Sequence, residues 1–290
     1  MKIIVTGSLG NISKPLTEKL VKAGHQVTVV SSNEDRSAEI KALGASPAIG
    51  SVNDVKFLTD TFTGADAVYA MIPPNFTAPN WRAYIGGIGS NYAEAIKASG
   101  VKKVVYLSSI GAHLPTGTGP IAGIHDGEET LNALTGVAIK HLRPAFFYLN
   151  FYGNVDMIKH ANIIGSNYSG KMVLVHPEDI AEVAAEEIQS DFTGKTVRYI
   201  ASDERTTADI AAELGKAIGK PNLPWVEFND DDAFNGMVQA GLPEEIAKNY
   251  VEMGTAIRNG KLQEDYEKHK PAALGKIKLE DFAAEFAKAF

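Results

Sequence analysis

Apolar positions in the first half of the chain fall into short continuous runs separated by longer amphipathic stretches. That rhythm predicts strands alternating with helices. Lys2–Thr6 (KIIVT) is a β-branched run, followed by a glycine loop and a helical stretch closed by Gly24. Gln26–Ser31 (QVTVVS) reads as the second strand, and Asp35–Leu43 as a helix ended by Gly44. A short strand at Ala45–Ile49 leads to a helix over Asp54–Phe62, with Asp54 suited to its N-cap. Ala67–Ile72 (AVYAMI) is the fourth strand, stopped by Pro73-Pro74, and a long helix over Asn80–Ser99 ends at Gly100. Lys103–Ser108 is the fifth strand, Ile121–Leu134 a helix and Val137–Leu142 the sixth strand. Such alternation implies parallel pairing through right-handed crossovers.

Beyond Pro144 the regularity loosens. Helices are predicted over Pro177–Gln189 and Thr207–Ile218, with a strand at Thr196–Ala201 between them and a mostly helical tail from Asp230. The expected fold is α/β: a Rossmann-type, doubly wound parallel sheet with a smaller, mostly helical C-terminal lobe. The division falls at residues 1–150 and 151–290, with some later segments returning to the sheet. In these folds ligands lie outside the carboxyl ends of the strands. The loops after strands one, two, four and five are therefore where a site belongs, the fourth beginning at Ile72-Pro73.

Bulk properties remove several alternatives. A 290-residue chain with 44% hydrophobic and 22% charged residues can bury a full core. Its net charge of −7 and the lack of any basic run argue against nucleic-acid binding. No cysteine is present, so disulfides, thiolate metal sites and cysteine nucleophiles are all excluded. The seven histidines show no metal-binding spacing on a helix, so no metal is expected. The chain opens directly on a strand and has no apolar run of roughly 20 residues. The reading is a cytoplasmic protein without a membrane span.

The first strand runs into Thr6-Gly7-Ser8-Leu9-Gly10-Asn11-Ile12-Ser13 and then a helix. Gly7 permits the tight turn, Gly10 admits a pyrophosphate close to the backbone, and Ser13 stands where a third small residue allows helix–strand packing. With the strand before, the helix after and the βαβ repeat behind it, the loop reads as a dinucleotide site. At the end of the second strand, where an acidic residue would grip a ribose diol, stand Ser31, Ser32 and Asn33, with Arg36 beyond. Hydroxyls, an amide and a guanidinium favour NADP(H) over NAD(H), although Glu34 and Asp35 lie between them. Asn53 and Asp54 are placed to meet the adenine, and Asp54 serves equally as a helix cap.

The loop TGSLGNIS, the segment VKKVVYLSSIGA, the His125-x-x-x-Glu129 pair, LRPAFFYLN and HPEDIAEVAAEEI occur in the order found in NmrA-like proteins. Over most of residues 1–220 the chain resembles that family of atypical short-chain dehydrogenases/reductases. The resemblance implies a Rossmann domain binding NADP(H), sometimes NAD(H), and a variable C-terminal lobe. Family members include quinone and azo-type reductases and redox-sensing regulators. Many carry an arginine where this chain has Ser32.

The Tyr-x-x-x-Lys pair of standard short-chain dehydrogenases has no counterpart after strand five, since no tyrosine lies between Tyr106 and Tyr148. The match at Tyr266 and Lys270 falls in the charged C-terminal helix and reads as surface. His125 opens the helix after strand five, where related reductases place a lysine or histidine, and is the candidate acid, with Glu129 one turn on to orient it. Holding the cofactor ribose is the other role open to His125. Ser108 and Ser109 are expected to face the nicotinamide. Phe146, Phe147 and Tyr148 either wall an aromatic substrate pocket or belong to the core. Gly86, Gly87 and Gly89 permit close packing against another helix or a second copy, which would make a homodimer. The loop from His113 to Pro120 reads as a flap over the site or an ordinary surface loop.

The function expected is an NAD(P)H-dependent reductase of a small carbonyl, quinone or conjugated compound. Its rival is a non-catalytic NADP(H)-binding redox sensor. A nucleotide-sugar epimerase ranks below both, because it needs the missing tyrosine.

Overall fold

A computed structural model describes residues 1–290. Short apolar runs become the central strands, and the amphipathic stretches between them become the covering helices. Along the first half these are β1 (Lys2–Val5), α1 (Ser13–Lys22), β2 (Gln26–Ser31), α2 (Ser37–Ala42) and β3 (Ser46–Ile49). They continue with α3 (Val55–Phe62), β4 (Ala67–Ala70), α4 (Trp81–Ser99), β5 (Lys103–Leu107), α5 (Ile121–Asn132) and β6 (Ala138–Pro144). Asp54 caps α3 by accepting from the Phe57 N–H at 3.0 Å, and Gly100 closes α4 in the left-handed conformation.

The second half is less regular. It holds β7 (Phe146–Phe147), α6 (Val155–Ala161), β8 (Ile164–Ser166), β9 (Lys171–Val175), α7 (Pro177–Gln189), β10 (Lys195–Ile200) and β11 (Asp203–Thr206). The tail then runs through α8 (Thr207–Ala217), β12 (Trp225–Glu227), α9 (Asp230–Gln239), α10 (Glu244–Arg258), α11 (Glu264–Lys268) and α12 (Leu279–Phe286).

Seven strands pair in the order β10-β6-β5-β4-β1-β2-β3, all parallel. The order reverses between β1 and β4, and a crevice opens there at the carboxyl ends. β10 adds an edge strand from the second half of the chain, and α7 lays Ile180, Ala181, Ala184 and Ile188 into the core beneath the sheet. A three-stranded sheet, β11-β9-β7, and the pair β12-β8 form the smaller lobe. Its core includes Tyr148 stacked on Phe282, ring centres 5.1 Å apart. No helix is long and apolar enough to cross a membrane.

The glycines of α4 have a packing role within the chain. A Cβ on Gly89 would lie 2.7 Å from the Gly127 Cα, so α4 and α5 approach backbone to backbone. The loop from His113 to Pro120 is held at its far end, where a Cβ on Gly119 would lie 2.0 Å from the Asn249 carbonyl oxygen of α10. Its tip, Pro115–Gly117, is exposed, while Thr118 and Gly119 are buried.

Candidate cofactor and substrate site

β1 ends one residue before Thr6, whose buried hydroxyl accepts from the Met71 N–H at 2.8 Å and ties the first loop to the end of β4. The chain then turns through Gly7 at φ +92° and Ser8 at φ +55°. A Cβ at Gly7 would lie 2.6 Å from Ser13 Oγ and 2.7 Å from Met71 Sδ, so only glycine fits. Ser13 Oγ donates to the Thr6 carbonyl at 2.8 Å, which clamps the start of α1 against the strand. The backbone N–H groups of Asn11 and Ile12 meet no acceptor within the protein, and no acidic residue occupies the first turn of α1. Unpaired donors at a helix N-terminus form a ready site for an anion. A dinucleotide pyrophosphate fits here.

The cleft above this loop has a volume of 610 Å³ and is walled by Gly7, Ser8, Gly10, Asn11, Ser31, Ser32 and Asn53, among others. No carboxylate lines it. Ser8 Oγ donates to Ser31 Oγ at 2.9 Å, linking the phosphate loop to the end of β2. Leu9 turns away and packs on the core, and Thr6 is buried behind the loop. Asn33 caps the short turn after β2, accepting from the Asp35 N–H at 2.9 Å, and Asp54 caps α3. Neither lines the cleft, nor does Arg36, which is paired with Glu39 at 2.9 Å.

A second cavity of 290 Å³ adjoins the cleft; Pro73, Pro74 and Phe147 wall both. Ile72, Ser108, Ser109 and Phe146 also line it. Trp81 and Tyr250 meet edge to face with ring centres 5.5 Å apart and form another wall, which no sequence pattern had pointed to. The cavity holds no Asp, Glu, His, Lys or Arg, so Tyr250 is its one titratable side chain. Burial pushes the Tyr250 phenol above its ordinary pKa, which keeps it protonated and able to donate.

Three expectations are corrected. Tyr148 lies in the lobe core and lines neither cavity. His125 lies outside the cavity lining, and its Nδ1 donates to the Ala112 carbonyl at 2.8 Å, while Glu129 is exposed and makes no hydrogen bond to it. The Tyr266-x-x-x-Lys270 pair is no loose surface match. Tyr266 is fully buried, and its hydroxyl and the Lys270 ammonium both donate to Glu204, at 3.0 and 2.8 Å.

The buried acid of α5 is Glu128, one residue before Glu129. Arg143 at the end of β6 grips it from two nitrogens, at 3.0 and 2.6 Å, and Ser108 Oγ donates to the same carboxylate. Arg143 reaches on to Tyr199 at 3.1 Å and Asp265 at 3.2 Å, and Tyr199 donates to Asp265 at 2.6 Å. With its proton engaged by Glu128, Ser108 presents only lone pairs to the cavity, so it can accept a hydrogen bond there but not give one.

Beside this network, His141 is buried, its Nε2 donating to Asn132 at 2.8 Å and its Nδ1 unpartnered. Burial pulls its pKa below the ordinary value, Glu128 and Glu129 opposing and Arg143 and Lys195 reinforcing the shift. The folded state therefore resists a proton that the unfolded chain accepts, and stability is lost as pH falls below about 6.5. His113, lowered mainly by burial, acts in the same direction. Thermal melts between about pH 7 and 5 should show a falling Tm whose slope is shallower in His141→Gln; equal slopes would remove His141 from the account.

The model of the NAD(P)H-binding family matches residues 7–191. The chain is 24% identical to an NAD(P)H azoreductase of Xenophilus azovorans, covering 84% of this chain and 83% of the azoreductase. Its fold is that of the NADPH-dependent quinone oxidoreductase QOR2 of Escherichia coli, solved with NADPH, at a TM-score of 0.83 and 22% identity, over 98% of this chain and 99% of that one. The triphenylmethane reductase of Citrobacter sp., solved with NADP(H), superposes at a TM-score of 0.79 and 20% identity, over 99% of this chain and all (100%) of that one.

Proposed function

The chain belongs to the NAD(P)H-binding family, and from that premise we propose that it is an NmrA-like, NAD(P)H-dependent oxidoreductase acting on planar, conjugated hydride acceptors of the quinone type. The observation that carries this reading is the junction at Pro73, Pro74 and Phe147, where the phosphate cleft adjoins a mainly apolar pocket. When bound, the dinucleotide supplies hydride. Gly10, Asn11 and Ile12 would hold its phosphates, and the two prolines with Phe147 would line the passage from the cleft to the apolar pocket.

The chemistry of the cavity selects among acceptors. Reducing an isolated carbonyl develops an alkoxide, which needs a positioned acid. Reducing a quinone develops a delocalised phenolate, which needs only a hydrogen-bond donor. Tyr250 offers that donor, and no stronger acid lines the cavity. The azoreductase, quinone oxidoreductase and triphenylmethane reductase similarities support acceptors of this delocalised kind. NADPH oxidation should be fast with menadione and negligible with a simple aliphatic aldehyde. Tight NADPH binding without oxidation by any quinone or dye would turn the reading to a redox sensor.

NADPH is the preferred form. No carboxylate faces the adenosine end to repel a 2′-phosphate, and Ser31 and Ser32 line it. Arg36 is free to turn toward that phosphate because its pair with Glu39 is solvent-exposed and weakly held. Arg36→Ala should raise the KM for NADPH about tenfold, the loss of ~1.4 kcal/mol, and leave that for NADH unchanged. Equal changes for both cofactors would remove Arg36 from the site.

A further inference from the structure

We propose that a second apolar cavity, behind the first, takes the hydrophobic tail of the same substrate, so that the acceptor is a quinone-type ring carrying an uncharged alkyl or isoprenoid chain. This rests on the reductase reading above and extends it.

The cavity next to the junction has 290 Å³, at the lower end of the range for small-molecule sites, and it suits a two-ring head group and little more. Beyond it lies a larger space of 710 Å³, lined by the turn Tyr148–Asn154, α6, β8, α9 and α10. Phe146, Asn150, Tyr250 and Met253 wall both spaces, so the two meet across a partition of four side chains. The cleft, the head-group cavity and this outer space therefore succeed one another, each sharing walls with the next.

The outer space has the chemistry of a tail site. Leu149, Met157, Phe228, Met237 and Leu242 supply apolar walls, and the one charged lining residue, Asp232, is exposed. Three methionines, Met157, Met237 and Met253, give it an adaptable surface, which suits a chain of variable conformation. The roof helix α9 contains no buried residue, although Ala233, Phe234, Met237 and Val238 stand on it half-buried. A helix of that composition normally sinks an apolar stripe into a core. Here it covers a space instead, and an apolar chain in that space would complete its packing.

The test uses a series of naphthoquinones with alkyl chains of increasing length, menadione being the tail-free member. KM should fall roughly three- to fourfold for each added methylene until the outer cavity is filled, then level off. Gly236 lines the outer cavity alone, and a Cβ placed there meets nothing within 4 Å. Gly236→Trp should erase the gain from the tail while menadione reduction and Tm stay unchanged. Ala233→Leu, a smaller plug, should shorten the chain length at which the gain stops. A KM independent of chain length in the wild type, or a Gly236→Trp loss equal for tailed and tail-free quinones, would overturn the proposal. Should no quinone be reduced, the reductase reading fails separately. Calorimetric titration of the cofactor-loaded protein with the same series still decides the tail site: a length-dependent gain in affinity supports it, and none overturns it.

Discussion

Gly10→Val should weaken NADPH binding by about 100-fold or more, equivalent to about 2.8 kcal/mol, while the cofactor-free protein keeps its Tm to within a few degrees. Gly10 lies on the open wall of the cleft at ordinary φ, and a Cβ there meets only the Gly7 carbonyl oxygen at 3.2 Å. The substitution therefore leaves the fold almost undisturbed and places a branched side chain where a pyrophosphate must approach the N–H groups of Asn11 and Ile12. Gly7 would be a poorer choice. Its φ of +92° and its contacts with Ser13 and Met71 couple any substitution there to folding itself. Titration of NADPH fluorescence checks the prediction, and an unchanged Kd in Gly10→Val would remove the phosphates from this loop.

Arg143→Met should destabilise the fold by about 3–5 kcal/mol, because it leaves Glu128 buried with only the Ser108 hydroxyl as partner. Glu128→Gln should cost less, about 1–3 kcal/mol, since Arg143 keeps Asp265 and Tyr199. The double replacement Glu128→Met with Arg143→Met should recover part of the loss, as paired buried charges are commonly replaceable by apolar groups of similar volume. Urea denaturation with a shared m-value measures all three. If the two single variants lose equal stability, Asp265 and Tyr199 do not share the load in the way the geometry requires. A consequence for activity follows from the same contacts. In the double variant no side-chain oxygen is left at position 128 to accept from Ser108, so Ser108 regains a free proton toward the cavity and menadione reduction should change in kcat more than in KM.

The sheet was readable from sequence because a doubly wound fold imposes its own punctuation. β1, β2 and β5 are β-branched runs, β4 is a short apolar one, and Gly24, Gly44 and Gly100 mark the ends of helices. The glycine loop between β1 and α1 was readable for the same reason, since its glycines carry meaning only between a strand and a helix. On α5 the carboxylate expected beside His125 is Glu129, whereas the one the fold buries is its neighbour Glu128. Glu129 stood out as a family-like partner of His125, yet a one-residue step turns a helical side chain by about 100°. Glu128, seven residues after Ile121 and three before Leu131, is in phase with the buried face. Its phase was present in the sequence; its partner, Arg143 on β6, was not, because only the folded sheet brings the two together.

The C-terminal segment defeated sequence reasoning differently. Around Tyr266 the string EDYEK looks solvated, and its charges are indeed near the surface. The tyrosine nevertheless turns inward against Tyr199 and Glu204. Tyr250 and Trp81, which line the apolar pocket beside the cleft, sit 169 positions apart in the chain and share no motif. Such walls are set by tertiary packing of α10 on α4, which local periodicity does not encode.

On the proposed reading, the glycine loop holds a reduced dinucleotide whose hydride passes to a conjugated acceptor in the adjoining cavity. Rapid mixing of the NADPH-loaded protein with menadione tests it most directly, by following the fluorescence of the bound cofactor through a single turnover. The account predicts that bound NADPH is oxidised far faster than free NADPH under the same conditions, and that Gly10→Val abolishes the effect. Bound NADPH that persists, or is oxidised no faster than the free cofactor, would contradict it.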